Sequence, residues 1–83
     1  MFKVHINVSL KQGVADPQGI TVKHALDSLG YQGVHGVAMG KYIQLELDSN
    51  NKENVVKTVE DMCAKILVNP VIEQFTYHIE EIA

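Results

Sequence analysis

Residues 2–10 alternate without a break, with Phe2, Val4, Ile6, Val8 and Leu10 in one set and Lys3, His5, Asn7 and Ser9 in the other. A period of two sends successive side chains to opposite faces of an extended chain, so this segment predicts a half-buried β-strand. A slip of one residue would turn five apolar side chains to water, so the register of that strand is strongly specified. Whatever else the chain forms must cover that face. With 83 residues it has room for one domain, close to the length below which a single core rarely suffices, and help from a partner is expected.

The remaining elements follow from breakers and caps. Lys11-Gln12-Gly13 ends the first strand, and Asp16-Pro17 opens a helix with an N-cap carboxylate and a proline at the first helical position. That helix carries Ile20, Val22, Ala25, Leu26 and Leu29 on one stripe and stops at Gly30, with Tyr31 able to fold back onto Leu26. Residues 34–38 read as a short second strand, Met39-Gly40-Lys41 as a turn, and residues 42–48 as the return strand of a hairpin with Ile43, Leu45 and Leu47 inward. Asn50 with Glu53 three residues on reads as a capping pair for a second helix, apolar at positions 55, 56, 59, 62, 63, 66 and 67. Pro70 ends it by Asn69, and Phe75, Tyr77 and Ile79 alternate in a last strand.

The order strand, helix, strand, strand, helix, strand predicts an α+β fold of the ferredoxin-like βαββαβ type, a single domain over residues 1–83. Its four-stranded antiparallel sheet would carry both helices on one face, with the first and last strands adjacent in the centre. The other face, with His5, Asn7, Ser9, Tyr42, Gln44, Thr76 and His78, would be polar and open, suited to a protein contact.

Composition removes several functions. All seven basic residues are lysine and the net charge is -3, so the planar fork that reads phosphate and guanine is missing and no nucleic-acid partner is expected. No apolar run approaches the roughly 20 residues of a membrane span, and the N-terminus enters strand alternation with no signal-peptide core, so a cytoplasmic protein is expected. One cysteine, Cys63, excludes a disulfide framework and falls in the apolar stripe of the second helix as a small hydrophobe.

No catalytic set is visible. His5 and His78 share the open face, so a two-histidine metal site is conceivable, but no carboxylate or cysteine at ligand spacing completes it and no metal is assigned. His24, on the outer side of the first helix, and His35, between glycines, lack a local nucleophile or orienting acid. Gly30, Gly33 and Gly36 do not match a dinucleotide loop, and Gly36 to Gly40-Lys41 is one residue short of a Walker loop, with Tyr42 where Ser or Thr must bind magnesium. The missing arginine excludes an acylphosphatase loop, the missing paired cysteines a copper chaperone, and the absence of aromatics at positions 5 and 76 an RNA-recognition domain.

Four strings stand out: Gly13-Val14-Ala15-Asp16-Pro17-Gln18-Gly19, Ala25-Leu26-Asp27-Ser28-Leu29-Gly30-Tyr31, Gly40-Lys41-Tyr42 and Asn69-Pro70-Val71-Ile72-Glu73. In this order and spacing, over essentially the whole chain, they resemble the PurS family, small subunits of phosphoribosylformylglycinamidine synthase where that enzyme is divided among three chains. Ala15 departs from the larger aliphatic residue usual in the family, and Ala38 from a basic residue that often precedes the Gly-Lys turn.

The resemblance implies a subunit with no active site of its own and no bound cofactor, acting in purine biosynthesis. It would join a PurQ-like glutaminase subunit to a PurL-like synthetase subunit, where ATP and Mg²⁺ are expected, and support ammonia transfer between them. A homo-dimer or larger assembly is expected with it. On that implication the candidate partner-contact residues are Asp16, Pro17 and Gly19 at the helix start, Gly40 and Lys41 at an exposed hairpin tip, and Asn69, Pro70 and Glu73 at the exit from the second helix. Glu73 shares the alternation of Phe75, an unusual place for a carboxylate. The alternative is a free-standing ferredoxin-like regulatory module that binds a small ligand at a dimer interface.

Overall fold

The computed structural model describes residues 1–82. Three antiparallel strands, β1 (Phe2–Leu10), β2 (Gly40–Leu47) and β3 (Glu73–Glu81), form a sheet in the order β2-β1-β3. The first strand is central, as its alternation demands: Phe2, Val4, Ile6 and Val8 are all buried. Opposite them β2 supplies Ile43, Leu45 and Leu47, and β3 supplies Phe75, Tyr77 and Ile79.

Helix α2 (Lys52–Met62) covers this face with Val55 and Val59. It continues into one wide helical turn (Cys63–Leu67) that adds Cys63 and, just past its end, Val68. The wide turn is closed by the Val68 N–H reaching back to the Cys63 carbonyl at 3.1 Å. This extra residue shifts the phase of the stripe, so Leu67 and Val68 turn inward while Ile66, predicted on the apolar stripe, is 80% exposed. From the sheet, Tyr77 donates its hydroxyl to Glu60 on α2 at 3.1 Å. The helix cap lies one residue later than predicted: Asn51, not Asn50, accepts the Glu53 N–H at 2.9 Å.

Helix α1 (Pro17–Ser28) ends as the sequence predicts. The Gly30 N–H bonds the Asp27 carbonyl and the Tyr31 N–H the Leu26 carbonyl, a Schellman closure that needs the positive φ of 92° at Gly30. Its placement is different from that predicted. Gly19 is its one buried residue, and it packs extensively on neither the sheet nor α2. Ile20 is 56% and Leu29 75% exposed.

The predicted four-stranded sheet with two helices on one face is therefore corrected to three strands covered by α2 alone. Residues 34–38 are irregular, with Gly33 at φ 86°, so no hairpin joins them to β2. Glycines at 33 and 36 weaken strand pairing and contribute no side chain to either face. As predicted, the first and last strands pair, but β3 lies at an edge, not in the centre. The result is elongated, 51 × 29 × 15 Å, with a radius of gyration of 16.5 Å against roughly 12 Å for a compact chain of this length. Its accessible surface is 6140 Å², where a compact fold of this mass exposes roughly 5,000 Å².

Among the described residues no helix is long and apolar enough to cross a membrane.

Candidate functional site

The eight candidate residues, scattered from position 16 to position 73, gather at one end of the sheet, where β1 finishes and β2 and β3 begin. Asp16 organises the helix side of this end. One carboxylate oxygen accepts the Gly19 N–H at 2.9 Å as an N-cap, and the other accepts the Met39 N–H, also at 2.9 Å. The two backbone donors, Met39 first, hold the Asp16 carboxyl below its ordinary pKa. Pro17 opens the first turn, where no N–H is needed. A side chain at Gly19 would collide with the Val37 carbonyl and with Asp16 itself. The sequence marks Asp16, Pro17 and Gly19 as a helix start; that the same carboxylate also grips the chain just before β2 is a tertiary fact.

Gly40 and Lys41 are not a hairpin tip. They are the first residues of β2, paired with Ser9 and Val8 of β1. Gly40 lies against the Val8 carbonyl so closely that a Cβ there would overlap it. Lys41 is not a free cation either: its Nζ lies 3.4 Å from a carboxylate oxygen of Glu73, the first residue of β3.

This pairing accounts for the carboxylate in an apolar register. Glu73 turns its other oxygen to the Asn69 N–H at 2.8 Å, while its own N–H bonds the Asn69 carbonyl at 2.7 Å. The Asn69 side chain in turn accepts the Val71 N–H at 3.0 Å. These bonds close the turn around Pro70, as the reading of Asn69, Pro70 and Glu73 as the exit from the second helix predicts. The Asn69 N–H is the main cause holding the Glu73 carboxyl below its usual range, and Lys41 adds to it against partial burial. Lys11, which nothing local in the sequence marks, pins the same turn through Nζ to the Pro70 carbonyl at 2.6 Å and through its N–H to the Ile72 carbonyl at 2.8 Å.

Between these segments lies a cleft of about 480 Å³ whose lining includes Val8, Leu10, Asp16, Met39, Lys41 and Glu73. Asp16 and Glu73 accept backbone N–H groups and Lys41 faces a carboxylate, so the charges here hold chain segments together. No side chain is poised as nucleophile or base. The chemistry available is positional: the site fixes where α1 leaves the sheet. Gln18 and Met39 also line the cleft; the sequence places Met39 in a turn and Gln18 beside the helix start, but marks neither as a candidate contact.

Other candidates lie apart. Cys63 is buried, and desolvation, with the Glu60 carboxylate second, pushes its thiol up. His24 and His35 are exposed. The open sheet face has the polar character expected, with His5 stacked between Tyr42 and His78.

Comparison with known proteins bears on this architecture directly. Residues 3–81 match the family model described as PurS: Phosphoribosylformylglycinamidine (FGAM) synthase. Over 82 residues the chain is 45% identical to the phosphoribosylformylglycinamidine synthase subunit PurS of Bacillus subtilis (strain 168), covering 99% of this chain and 96% of that one. The crystal structure of Methanocaldococcus jannaschii PurS, one of the subunits of formylglycinamide ribonucleotide amidotransferase in the purine biosynthetic pathway, superposes with a TM-score of 0.90 at 38% identity over the full length of both chains. A chain in the structure of PurLQS from Thermotoga maritima superposes at 0.86 with 35% identity, covering 95% of this chain and 96% of that one. A match of this breadth in sequence, with the same three-dimensional arrangement, shows that the chain belongs to the PurS family.

Proposed function

We infer that this chain is the small subunit of a multi-chain phosphoribosylformylglycinamidine synthase in purine biosynthesis, joining a PurQ-like glutaminase to a PurL-like synthetase. The observation that carries this reading is helix α1, which packs extensively on neither the sheet nor α2, with Ile20 exposed on it and Leu29 exposed just past its end. Large apolar side chains left uncovered on a helix that so little of the chain packs against are a surface for association. The Thermotoga relative occurs with PurL and PurQ in one structure, which supports the same partners here.

The chemistry explains why such a subunit is needed. Glutamine hydrolysis yields ammonia, and the synthetase activates an amide oxygen with ATP and Mg²⁺ so that ammonia can replace it. In neutral water ammonia is mostly protonated and no longer a nucleophile, so the two sites must be docked with water excluded between them. A chain that contributes only surface serves this by fixing the relative position of two larger proteins. The surface in excess of a compact fold supports a dimer or larger assembly of the chain itself. Asp16, Pro17, Gly19, Gly40, Lys41, Asn69, Pro70 and Glu73 then act by setting where α1 and the cleft beside it face the partners.

The test is reconstitution. The chain is co-expressed with a glutaminase and a synthetase of this type, captured, and glutamine-dependent amidine formation is measured with and without it. Recovery of all three chains, with glutamine-dependent activity requiring this one, is expected. Full activity without it would refute the reading.

A further inference from the structure

His5 and His78 lie directly opposite each other on β1 and β3, on the sheet face turned away from α2. The Lys11 N–H to Ile72 carbonyl and Ile82 N–H to Met1 carbonyl bonds both fall at odd positions of the first strand's register. The ladder repeats every two residues, so His5 and His78 are a hydrogen-bonded pair, with both side chains on the same face of the sheet. Their ring centroids are 6.1 Å apart. Two imidazoles bound to one ion through nitrogens at about 2.0–2.1 Å hold their centroids roughly 5–6 Å apart, close to the separation of these two rings.

His5 Nδ1 is hydrogen-bonded to the Tyr42 hydroxyl, which also lies 3.3 Å from the Gln44 side-chain oxygen. Tying one ring nitrogen to a neighbour fixes the orientation of the imidazole and leaves Nε2 as the atom able to meet a ligand, the arrangement of a metal-ligating histidine. Glu80, two residues beyond His78 on the same face, is matched across the pairing by Lys3, so the surroundings add little charge.

We propose that His5 and His78 form a two-imidazole site for a borderline divalent cation such as Zn²⁺, with Tyr42 positioning His5 and water completing the coordination. Among the described residues no three His, Cys, Asp or Glu side chains converge on one point, so the site is open and its ion exchangeable. The sequence already places both histidines on one face and lacks a third ligand, which is still missing among the described residues; what the structure adds is the direct register of the pair and the His5–Tyr42 bond. A bound ion ties the edge strand β3 to the central strand and places positive charge on the open face.

The full chain is titrated with ZnCl₂ by calorimetry while the histidine ring resonances are followed by NMR. One ion per chain is expected, with shifts confined to His5 and His78. Binding falls at least about tenfold in His5→Gln and His78→Gln and by less in Tyr42→Phe, with circular dichroism showing each variant folded. A His24→Gln/His35→Gln double variant binds as the parent does. Absence of binding, shifts centred on His24 or His35, or binding undiminished in both His5→Gln and His78→Gln would overturn the site.

Discussion

The Asp16 carboxylate accepts the backbone N–H of Met39 at 2.9 Å, across 23 positions of sequence, while capping the helix it begins. One side chain thus joins the start of α1 to the start of β2. At the other side of the same cleft Glu73 joins the first residue of β3 to the turn around Asn69 and to Lys41.

Both carboxylates should be visible in the acid stability of the protein. Their ordinary values lie near 3.8 for Asp16 and 4.5 for Glu73, and both are lowered in the folded chain. The unfolded chain therefore binds these protons first. The stability they contribute is present above the ordinary values and is lost as pH falls through the lower folded ones. Thermal melts should hold steady from neutral pH down to about pH 5 and decline below it. An Asp16→Asn/Glu73→Gln variant should be less stable at neutral pH and lose less on acidification. Parallel curves for variant and parent would show that other groups govern the acid limb.

Lys41→Glu reverses the charge beside Glu73 and should weaken capture of the synthetase subunit while the far-ultraviolet circular dichroism stays that of the parent. Lys41→Met removes the pair without adding repulsion and separates the two effects. With the Lys41 end of the pair open to solvent, the pair contributes on the order of 1 kcal/mol, so neither change should unfold the chain. Capture equal to the parent's in both variants would remove Lys41 from the contact surface.

Core and helix positions should respond differently. Ile6→Ala opens a cavity under α2 and should cost about 2–5 kcal/mol by denaturant unfolding. Leu29→Lys touches a side chain already 75% exposed, so its effect should appear in the sedimentation coefficient: the parent a dimer or larger at micromolar concentration, the variant shifted toward monomer. A parent that sediments as a clean monomer would contradict the assembly inferred from its exposed surface.

Cys63 should resist thiol reagents. Its side chain is buried and its thiol is shifted away from the reactive thiolate form. Labelling of the folded chain at pH 8 should run at least about tenfold slower than in denaturant. Equal rates would mean that the wide turn opens readily.

Much of this protein can be read from its residues because the signals are local. The alternation of residues 2–10 names the central strand, Asp16-Pro17 and Gly30 bound α1, and Asn69-Pro70 ends the second helical segment. Caps, breakers and periodicities act within a turn or two of chain, so they survive without knowledge of what packs where. The wide turn after Met62 has no such signal, because its extra residue preserves helical composition while turning Ile66 outward and bringing Val68 inward beside Leu67.

The candidate site divides in the same way. Each of its residues reads in the sequence as part of a helix start, a hairpin tip or a helix exit, but the place of Gly40, Lys41 and Glu73 at the starts of strands, the pairing of Lys41 with Glu73 and the grip of Asp16 on Met39, the last two spanning 32 and 23 positions, exist only once three strands are in register. The fourth strand failed for a related reason. Residues 34–38 have the pattern of a strand, but a strand exists only with a partner edge, and two glycines leave these residues too little side-chain surface to win one. By itself the sequence determined both helices, three of the four strands it proposed, their order, the buried face of β1 and the family to which the chain belongs. Only the tertiary structure decided that α1 stands off the sheet with Ile20 and Leu29 exposed, because burial is a property of pairs of surfaces and the apolar face of the sheet is covered by α2 instead.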